Sequence, residues 1–553
     1  MKKRLLALFL FASLGGLISQ GQNLDKGIWY MKQRQYFSAK RIFTALVQKN
    51  PSNGKDLFYL GQVYYALGQA DSAEYYYQQG ILLDPKEPLN YLGAGRTFLN
   101  NDNKTEWFNM YTKGRRLSNN MFDYNIQAAD ACLSSTGKYY DLVEKYLNEA
   151  QSDEDKNPNL FIGFGDLYMV SKSPGDAVNS YQRALYYDKN NVEAYVKLGE
   201  IYSKANNFKD GLIAFNKAID LDTSQILGYK LRGDMYYNFA KYQEAKMDYD
   251  IYIPRSDQTI EDRQKYVYIL YFAKDYANAM ALADELLQID QNLTILYRIK
   301  AYIDYDTEKY PEGLANLDTF FVKHDTTKFI AQDFVYYGRL LIRNDQDSLG
   351  CVELQKALVM DSTKTELYDD LAKSYSKQKD FLQAIAAYKK LLVVDPNNHQ
   401  NLYYQIGRSY YFIAEDTAAG LDSLQRIDMY NQADSNFKQV TILNPESYIG
   451  FIWRARVHSR LDPETSLGLA KPDYEAAMAL LEQGDPTKTP KLLLECYRYL
   501  AFYYYLQSDK LSKTDAAQSK LDMTNSINYW EKVLVIDPSD TQAKTALDNL
   551  KGQ

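Results

Sequence analysis

Cationic residues recur in the second half of the chain at the same position of successive repeats, at Arg339, Lys373, Arg408 and Arg456, and Arg498 follows them. A guanidinium can hold a carboxylate through two parallel hydrogen bonds, so such a column could bind acidic groups. Large apolar residues occur at related positions, namely Tyr404, Tyr411, Ile452, Phe502 and Tyr505. Arginine beside aromatic rings is typical of binding hot spots. We therefore predict that these ten residues line a groove that binds a protein or peptide partner.

The corresponding position carries acidic residues earlier in the chain, at Asp130, Asp166, Glu200 and Asp234. The charge of the column therefore changes sign along the sequence. An alternative interpretation is that these charges pair with neighbouring helices and form an ordinary solvated surface. The sequence leaves both interpretations open.

The residue patterns that support catalysis are missing from the sequence. The histidines are His324, His399 and His458, and the cysteines are Cys132, Cys351 and Cys496. Their wide separation gives neither the spacing of a metal site nor a disulfide framework. Acidic residues are plentiful, but no pair has the spacing of a glycosidase site. We predict a protein that is not an enzyme and uses no cofactor or metal.

A 34-residue repeat must position the side chains of the column. Its best copy is marked by Leu57, Leu60, Gly61, Tyr64, Ala73, Tyr77 and Pro85, and Pro51 precedes Pro85 by 85 − 51 = 34 residues. Similar copies contain Phe161, Tyr195, Tyr229 and Tyr368. The pattern resembles the tetratricopeptide repeat, a pair of antiparallel helices, over nearly the whole chain. This resemblance implies an all-α fold, a right-handed superhelical solenoid of about fourteen helix-turn-helix units.

The residue types of the repeat follow from the way such helix pairs pack. A small residue such as Gly61 is needed where the second helix crosses the first. Aromatic residues fill the wedge between successive pairs, so we expect Tyr64 and Tyr77 to be structural. Tyr65 and Tyr76 fall outside these columns, and we expect them to face a groove or solvent.

The amino terminus has the layout of a secretory signal peptide. Three basic residues at 2–4 precede an apolar run, and small residues permit cleavage before Gln22, so residues 1–21 are the predicted signal. Without those charges the balance is 64 − 3 = 61 basic against 71 acidic residues, a net of −10. That charge argues against nonspecific nucleic-acid binding. No second long apolar run occurs, so we predict an exported, periplasmic protein without a membrane span in the mature chain.

Near the carboxyl end of the chain, more residues separate the marker positions of the first and second helix of a copy. Gly407 and Ala433 are separated by 433 − 407 = 26 residues, whereas Gly61 and Ala73 are separated by 73 − 61 = 12. We predict inserted turns at residues 414–432, 460–474 and 507–525, with lengthened helices as the alternative. The predicted organisation is a solenoid of about eleven repeats at residues 22–398. Residues 399–553 then form a repeat region with lengthened turns and a terminal capping helix.

The segment WRARVHSRLDPETSLGLAKPDYEAAM, residues 453–478, resembles a stretch in exported repeat proteins of Bacteroidota. The resemblance implies a protein of the bacterial envelope. We predict a non-enzymatic scaffold for protein–protein interactions in the periplasm. Two alternatives remain: a structural adaptor that contacts a membrane-associated energy-transduction or outer-membrane assembly complex through the inserts, and a glycan-binding protein that uses exposed tyrosines.

Overall fold

The computed structural model describes residues 24–395, 398–484 and 486–551, and their regular secondary structure is helical throughout. The predicted signal peptide at residues 1–21 lies outside these ranges. The chain divides into two compact units, an N-terminal unit that ends at Leu293 and a C-terminal unit that begins at Thr294. This division does not coincide with the change in repeat length after residue 398.

The helices of the N-terminal unit are α1 (Leu24–Lys32), α2 (Tyr36–Lys49), α3 (Gly54–Ala66), α4 (Ala70–Leu83), α5 (Leu89–Asn100), α6 (Lys104–Arg115), α7 (Met121–Leu133), α8 (Tyr140–Asp153), α9 (Pro158–Val170), α10 (Pro174–Tyr187), α11 (Val192–Lys204), α12 (Phe208–Leu221), α13 (Ile226–Asn238), α14 (Tyr242–Tyr252), α15 (Ile260–Phe272) and α16 (Tyr276–Ile289).

The helices of the C-terminal unit are α17 (Ile295–Asp306), α18 (Tyr310–Lys323), α19 (Ala331–Arg343), α20 (Asp347–Met360), α21 (Leu367–Lys377), α22 (Phe381–Val394), α23 (His399–Glu415), α24 (Ser423–Leu443), α25 (Tyr448–Leu461), α26 (Lys471–Gln483), α27 (Pro490–Leu511), α28 (Ala516–Ile536) and α29 (Thr541–Lys551).

Consecutive helices pack in pairs, from α1 with α2 to α27 with α28, and α29 packs on α28 as a terminal helix. The described residues therefore contain fourteen pairs, which confirms the predicted all-α repeat architecture and the predicted number of copies. First helices of successive pairs also touch, as α3 touches α5 and α19 touches α21. We call the surface formed by the first, odd-numbered helices the inner face of each unit.

Most first helices end in the same turn. The residue two positions beyond the helix has a left-handed backbone at Arg34, Gly68, Asp102, Lys172, Asn206, Ala240, Lys274, Glu308, Asp345 and Lys379. The next amide then reaches back into the helix, as the Gln69 amide does to the Tyr64 carbonyl at 2.9 Å. This arrangement satisfies carbonyls that the end of a helix leaves without intrahelical partners. It also reverses the chain in the same way in each pair.

Small residues at the helix crossings confirm the assigned repeat phase. A Cβ atom on Gly61 would lie 2.4 Å from the Tyr77 ring, and one on Gly199 would lie 2.5 Å from the Phe215 ring. Real Cβ atoms do not tolerate such distances, so the aromatic ring of the second helix occupies the space that a side chain would need. The glycine and the ring thus fix how closely the two helices approach.

Tyrosines supply much of the packing, as the sequence predicts. Tyr77 is fully buried, and burial raises the pKa of its hydroxyl to about 12. The Tyr64 and Tyr76 rings are stacked with their centres 5.2 Å apart. Tyr65 lies under the guanidinium of Arg96 at 3.5 Å and donates a hydrogen bond to the Ser134 carbonyl. Tyr65 and Tyr76 are therefore half-buried and already have partners within the N-terminal unit.

The predicted inserts take two different forms. Around residues 414–432 and 507–525 most of the extra residues lengthen helices: α23 and α24 have 17 and 21 residues, and α27 and α28 have 22 and 21. The alternative of lengthened helices therefore describes these two inserts. The segment 460–474 instead contains a loop held by the buried Asp462 carboxylate, which accepts hydrogen bonds from the amides of Leu467 at 3.0 Å and Gly468 at 2.8 Å.

Candidate functional site

The first two cations of the predicted column already have acidic partners. Arg339 on α19 donates from Nε to Asp370 Oδ2 at 2.8 Å, so its partner lies on α21, the next first helix. Lys373 donates from Nζ to Asp369 Oδ2 at 2.5 Å, one helical turn away on α21. The Lys373 pair is largely exposed, and exposed pairs of this type contribute little to stability.

Arg456 and Arg498 are also paired, each with a carboxylate beyond its own helix. Arg456 on α25 contacts Glu495 on α27 through two hydrogen bonds, Nε to Oε1 and Nη2 to Oε2, both 2.8 Å long. Arg498 on α27 donates from Nε to Oδ2 of the buried Asp540 at 3.0 Å. Arg339, Lys373, Arg456 and Arg498 are each paired with a neighbouring carboxylate. For these four residues the alternative interpretation, an ordinary surface of paired charges, therefore describes the column.

Arg408 on α23 is the exception among the five predicted cations. Within the described ranges no carboxylate forms an ion pair with its guanidinium, and its buried Nε has no hydrogen-bond partner. The guanidinium carbon lies 5.5 Å from the ring centres of Tyr404 and Phe412 and 5.7 Å from that of Trp453. The rings favour the cation electrostatically, but they give its N–H groups no full hydrogen bonds.

The rings around Arg408 form one aromatic group on the inner face of the C-terminal unit. Trp453 on α25 packs edge-on to Tyr404 at 6.1 Å and to Tyr411 at 5.5 Å between ring centres. The guanidinium of Arg456 covers the same indole at 4.9 Å. Tyr404, Tyr411 and Trp453 are half-buried against the hydrophobic core. The rings of this group therefore pack against one another and the core while part of each ring stays exposed.

A pocket of about 570 Å³ opens beside Arg408. It lies where the end of α21 and the start of α22 meet α23, and its lining includes Lys377, Lys379, Phe381 and Phe412. Phe381 stacks on Phe412 with 5.7 Å between ring centres, which gives the pocket an apolar wall. Lys377 is bound to Asp345 and Asp347, at 2.9 and 2.8 Å. Arg408 and Lys379 are therefore the cations of the pocket without a bound carboxylate among the residues described, and Arg408 is the one enclosed by aromatic rings.

The other predicted apolar residues lie elsewhere. Ile452 is only 2% exposed and belongs to a core cluster that includes Leu493 and Cys496 of α27, so the expectation that it faces the groove is wrong. The same cluster contains Tyr474 of α26, so Ile452 is enclosed by the two following helices. Phe502 and Tyr505 are partly exposed and line a separate cleft of about 490 Å³ between α27 and α29. The structure thus brings together only Tyr404, Arg408 and Tyr411 from the apolar and cationic sets, beside Arg456.

The acidic residues of the N-terminal unit are mostly engaged as well. Asp166 is 2.8 Å from Lys197 Nζ, and it accepts a hydrogen bond of 2.5 Å from the Tyr181 hydroxyl. Glu200 is bound by Arg34 at 2.8 Å. Tyr249 donates to Asp234 at 2.7 Å.

Asp130 is exposed on the walls of two cavities in the N-terminal unit, and reduced solvation by the surrounding chain raises the pKa of its carboxyl group. The other three acidic residues of the column are each bound by a cation or a tyrosine of their own unit. The inner face of this unit is therefore largely neutralised from within.

His458 is the histidine with the clearest electrostatic role. Its Nε2 lies 3.1 Å from Asp434 and its Nδ1 2.9 Å from Asp473, and Arg454 contacts the same two carboxylates at 2.9 and 3.0 Å. Hydrogen bonding to Asp434, aided by Asp473, raises the pKa of His458 to about 9. The contact of Nδ1 with Asp473 is an ion pair. The cluster joins α24, α25 and α26 and is structural.

The described residues contain no group of three metal-ligating side chains arranged to hold an ion. Within the same ranges, no helix is long and apolar enough to cross a bilayer.

Sequence reasoning missed Phe412 and Trp453. The repeat pattern predicts other groove residues on their helices, such as Tyr411 and Ile452. A usable signal was present, since Trp453 is one of only 4 tryptophans in 553 residues and begins the segment WRAR. Phe412 lies four residues after Arg408, a spacing that brings two side chains together on one helix face.

Three segments match the family models described as tetratricopeptide repeat: residues 54–87, 192–225 and 365–398. Each match coincides with a copy that the spacing predicts. The chain therefore contains tetratricopeptide repeats. Comparison with curated proteins finds no match.

Solved structures of other repeat proteins are similar to parts of this chain. The C-terminal part of a TPR repeat-containing protein from Cytophaga hutchinsonii is 29% identical, covers 51% of this chain and 98% of its own, and has a TM-score of 0.38. A tetratricopeptide repeat protein from Parabacteroides merdae is 16% identical, covers 44% of this chain and 94% of its own, and has a TM-score of 0.31. Yeast Tom70 is 14% identical over 76% of this chain and 96% of its own, with a TM-score of 0.27. TM-scores this low carry no functional argument.

Proposed function

We propose that this protein is a non-enzymatic scaffold that binds a protein or peptide partner on the inner face of its C-terminal unit. The observation that carries the proposal is the state of Arg408. Its guanidinium is held among Tyr404, Phe412 and Trp453, and it has no carboxylate partner within the described chain. The Arg408 guanidinium makes no hydrogen bond to the described residues, and its Nε is buried, so a ligand carboxylate can accept from the outer N–H groups without displacing an internal partner.

The chemistry of the site favours a carboxylate next to an apolar or aromatic group. A carboxylate can accept two parallel hydrogen bonds from a guanidinium. The pocket beside Arg408 offers the rings of Phe381 and Phe412 to the neighbouring part of the ligand. An acidic side chain flanked by a hydrophobic residue satisfies both requirements, and so does the carboxyl terminus of a peptide.

We also propose that the protein acts in the periplasm of a bacterium of the Bacteroidota, within or beside an envelope complex. The basic and apolar pattern of residues 1–21 supports export, and the segment at 453–478 supports the phylum. Amino-terminal sequencing of the protein from its native host tests this location. A mature chain that begins near Gln22 is expected, and an intact Met1 contradicts the proposal.

The proposed surface is tested by comparing two neutralising substitutions on the same inner face. Arg408→Gln removes the cation without a partner, whereas Lys373→Gln removes an exposed cation that is already paired. Cross-linking in envelope preparations, followed by mass spectrometry, should recover partners with the unmodified protein and with Lys373→Gln. Recovery should fall at least tenfold with Arg408→Gln, while circular dichroism and melting stay unchanged. A folded Arg408→Gln protein that recovers every partner contradicts the proposal.

Peptides from a recovered partner then distinguish the two sources of the carboxylate. If a chain terminus binds Arg408, amidation of the peptide should weaken binding as much as Arg408→Gln does. If an acidic side chain binds, its replacement by the corresponding amide should have that effect instead. In either case binding should weaken with salt, because partly exposed ionic contacts are screened over about 8 Å at physiological ionic strength.

A second candidate function is an adaptor that contacts a larger envelope complex through the inserted segments. Exposed leucines favour it: Leu424 lies at the start of α24 and is 78% exposed, and Leu467 lies in the 462–470 loop and is 74% exposed. Double replacement by serine, Leu424→Ser with Leu467→Ser, should remove partners that bind through the inserts. It should leave partners that need Arg408 unaffected.

A further inference from the structure

The turn that joins α1 to α2 reaches a distant part of the N-terminal unit. Residues 32–38 contact α11, the start of α13 and Asp257 after α14, which are more than 160 residues away in sequence. The helix pairs of the N-terminal unit therefore curve back until the first pair touches later ones. We call residues 32–38 the closing turn.

Asp257 caps the amino terminus of α2. Its carboxylate accepts hydrogen bonds from the amides of Phe37 at 2.7 Å and Ser38 at 2.9 Å, and from the Ser38 hydroxyl at 2.6 Å. The local N-cap residue, Gln35, makes no capping bond of its own. Elsewhere in the unit a neighbouring residue does this, as Asn207 does for α12. A side-chain cap stabilises the start of a helix, so α2 depends on a side chain 220 residues away.

Gln33 caps another helix in the opposite direction. Its side-chain oxygen accepts a hydrogen bond of 3.0 Å from the amide of Leu227, in the first turn of α13. That helix also lacks a local side-chain cap. The Gln35 side-chain oxygen accepts from the Asp257 amide, and Gln33 and Gln35 are each only 3% exposed. Two helix starts are thus capped reciprocally across one interface.

Two ion pairs flank this interface. Lys32 Nζ lies 3.0 Å from Glu193, and Arg34 Nη2 lies 2.8 Å from Glu200, both on α11. The closing turn also forms one side of a polar cavity of about 580 Å³, whose other walls include Asp130 and Asp166. The cations of the closing turn therefore lie against the acidic residues of the unit's own inner face.

We propose that the closing turn is an autoinhibitory latch. Lys32 and Arg34 act as an internal cationic ligand for the acidic inner face of the N-terminal unit, and the reciprocal caps hold them in place. A basic segment of a partner displaces the latch, because it offers Glu193 and Glu200 the same type of ion pair. Release exposes the inner face that the latch covers.

Hydrogen exchange tests whether the latch opens as one element. Asp257→Ala removes the cap of α2, and the matched control Asn207→Ala removes a local cap in the same unit. If the latch is cooperative, Asp257→Ala should accelerate exchange at Phe37 and Ser38 and also, at least tenfold, at Leu227, which Gln33 caps. Asn207→Ala should affect α12 and leave Leu227 unchanged. Faster exchange confined to Phe37 and Ser38 overturns the latch.

An oligoarginine peptide tests the ligand class. Its binding should be at least tenfold tighter to Asp257→Ala than to the unmodified chain, and addition of Glu193→Gln and Glu200→Gln should abolish the gain. The double variant Lys32→Gln with Arg34→Gln keeps both caps, so it provides a folded protein if Asp257→Ala does not fold. It should also bind the peptide more tightly, because the internal competitor is gone. Equal binding by this double variant and the unmodified chain overturns the proposal.

Discussion

The two units are built from the same kind of helix pair, but the charges on their inner faces are paired to different extents. In the N-terminal unit, the acidic residues Glu193 and Glu200 are bound by cations of the unit's own first turn. In the C-terminal unit, Arg456 is bound by Glu495, but Arg408 keeps only aromatic neighbours among the described residues. A repeat position therefore predicts that a charge is present, whereas its availability depends on what the neighbouring helices offer.

This difference explains why we propose separate binding properties for the two units. The N-terminal inner face is closed by contacts within its own chain, and a competitor must first displace them. The C-terminal site retains unused hydrogen-bonding capacity at Arg408. The first should therefore respond to loss of internal contacts by binding more tightly, and the second should respond to loss of one cation by binding less.

The largest loss of stability is expected from steric substitutions at the helix crossings. These substitutions test whether both units follow the same repeat phase. Gly199→Leu and Gly407→Leu place a side chain where Phe215 and Phe437 lie, with Cβ contacts of 2.5 and 2.8 Å. Each substitution should lower the unfolding free energy of its own unit by about 1–3 kcal/mol. Hydrogen exchange should localise the damage to adjacent repeats. Gly175→Leu is the matched control, because its Cβ meets nothing within 4 Å.

The pH dependence of stability should differ between the two units, because all three histidines lie in the C-terminal unit. The pKa of His458 is raised from 6.5 to about 9 in the folded chain. Its stabilising contribution is therefore complete below pH 6.5 and is lost as the pH rises through 9. The melting temperature of the C-terminal unit should fall as the pH rises from 6.5 to 9. The N-terminal unit, which has no histidine, should not show that loss.

The substitution His458→Gln is the control for the titration. It should remove the decline between pH 6.5 and 9 and lower stability at pH 6, where the imidazolium between Asp434 and Asp473 is fully charged. A decline that persists in His458→Gln would assign the effect to another group.

Arginine substitutions compare how much a paired and an unpaired charge contribute to the free energy of unfolding. Arg456→Gln leaves Glu495 without its two-point partner and should cost about 1 kcal/mol of unfolding free energy. Arg408→Gln breaks no ion pair among the described residues and should change stability by less than that. Chemical denaturation of the two variants at equal ionic strength measures the difference. An equal loss in both would mean that Arg408 has a structural role.

The smallest effect is expected for Lys373→Gln. Its ion pair joins it to Asp369, one helical turn away, and the lysine side chain is 69% exposed. Such pairs contribute about 0.3–0.5 kcal/mol, and less at high salt. Denaturation at low and high salt should give nearly the same small change in unfolding free energy. A loss above about 1 kcal/mol would contradict this assignment.

The features predicted best from the sequence depend on contacts within one helix pair or between adjacent pairs. Gly61 and Tyr77 are 16 residues apart (77 − 61), and their packing follows from the spacing alone. The repeat pattern also placed Arg408 and Tyr404 on one helix, where their proximity follows from helical geometry. The length of the inserted segments follows from the spacing too, but the spacing leaves open whether the extra residues form turns or lengthen the helices.

The helix pairs, their phase and the rows of charged residues follow from the sequence, because these features arise from short-range periodicity and local packing. Which of the charges find partners depends on contacts between residues distant in sequence. Asp257 and Ser38 meet through the accumulated rotation of many repeats, and Glu495 of α27 reaches Arg456 of α25 across the boundary between two pairs. Ile452 is buried for a related reason, since it shares a core cluster with residues of α26 and α27. A periodic sequence does not encode such partners locally, because small differences between successive repeats add up along the chain.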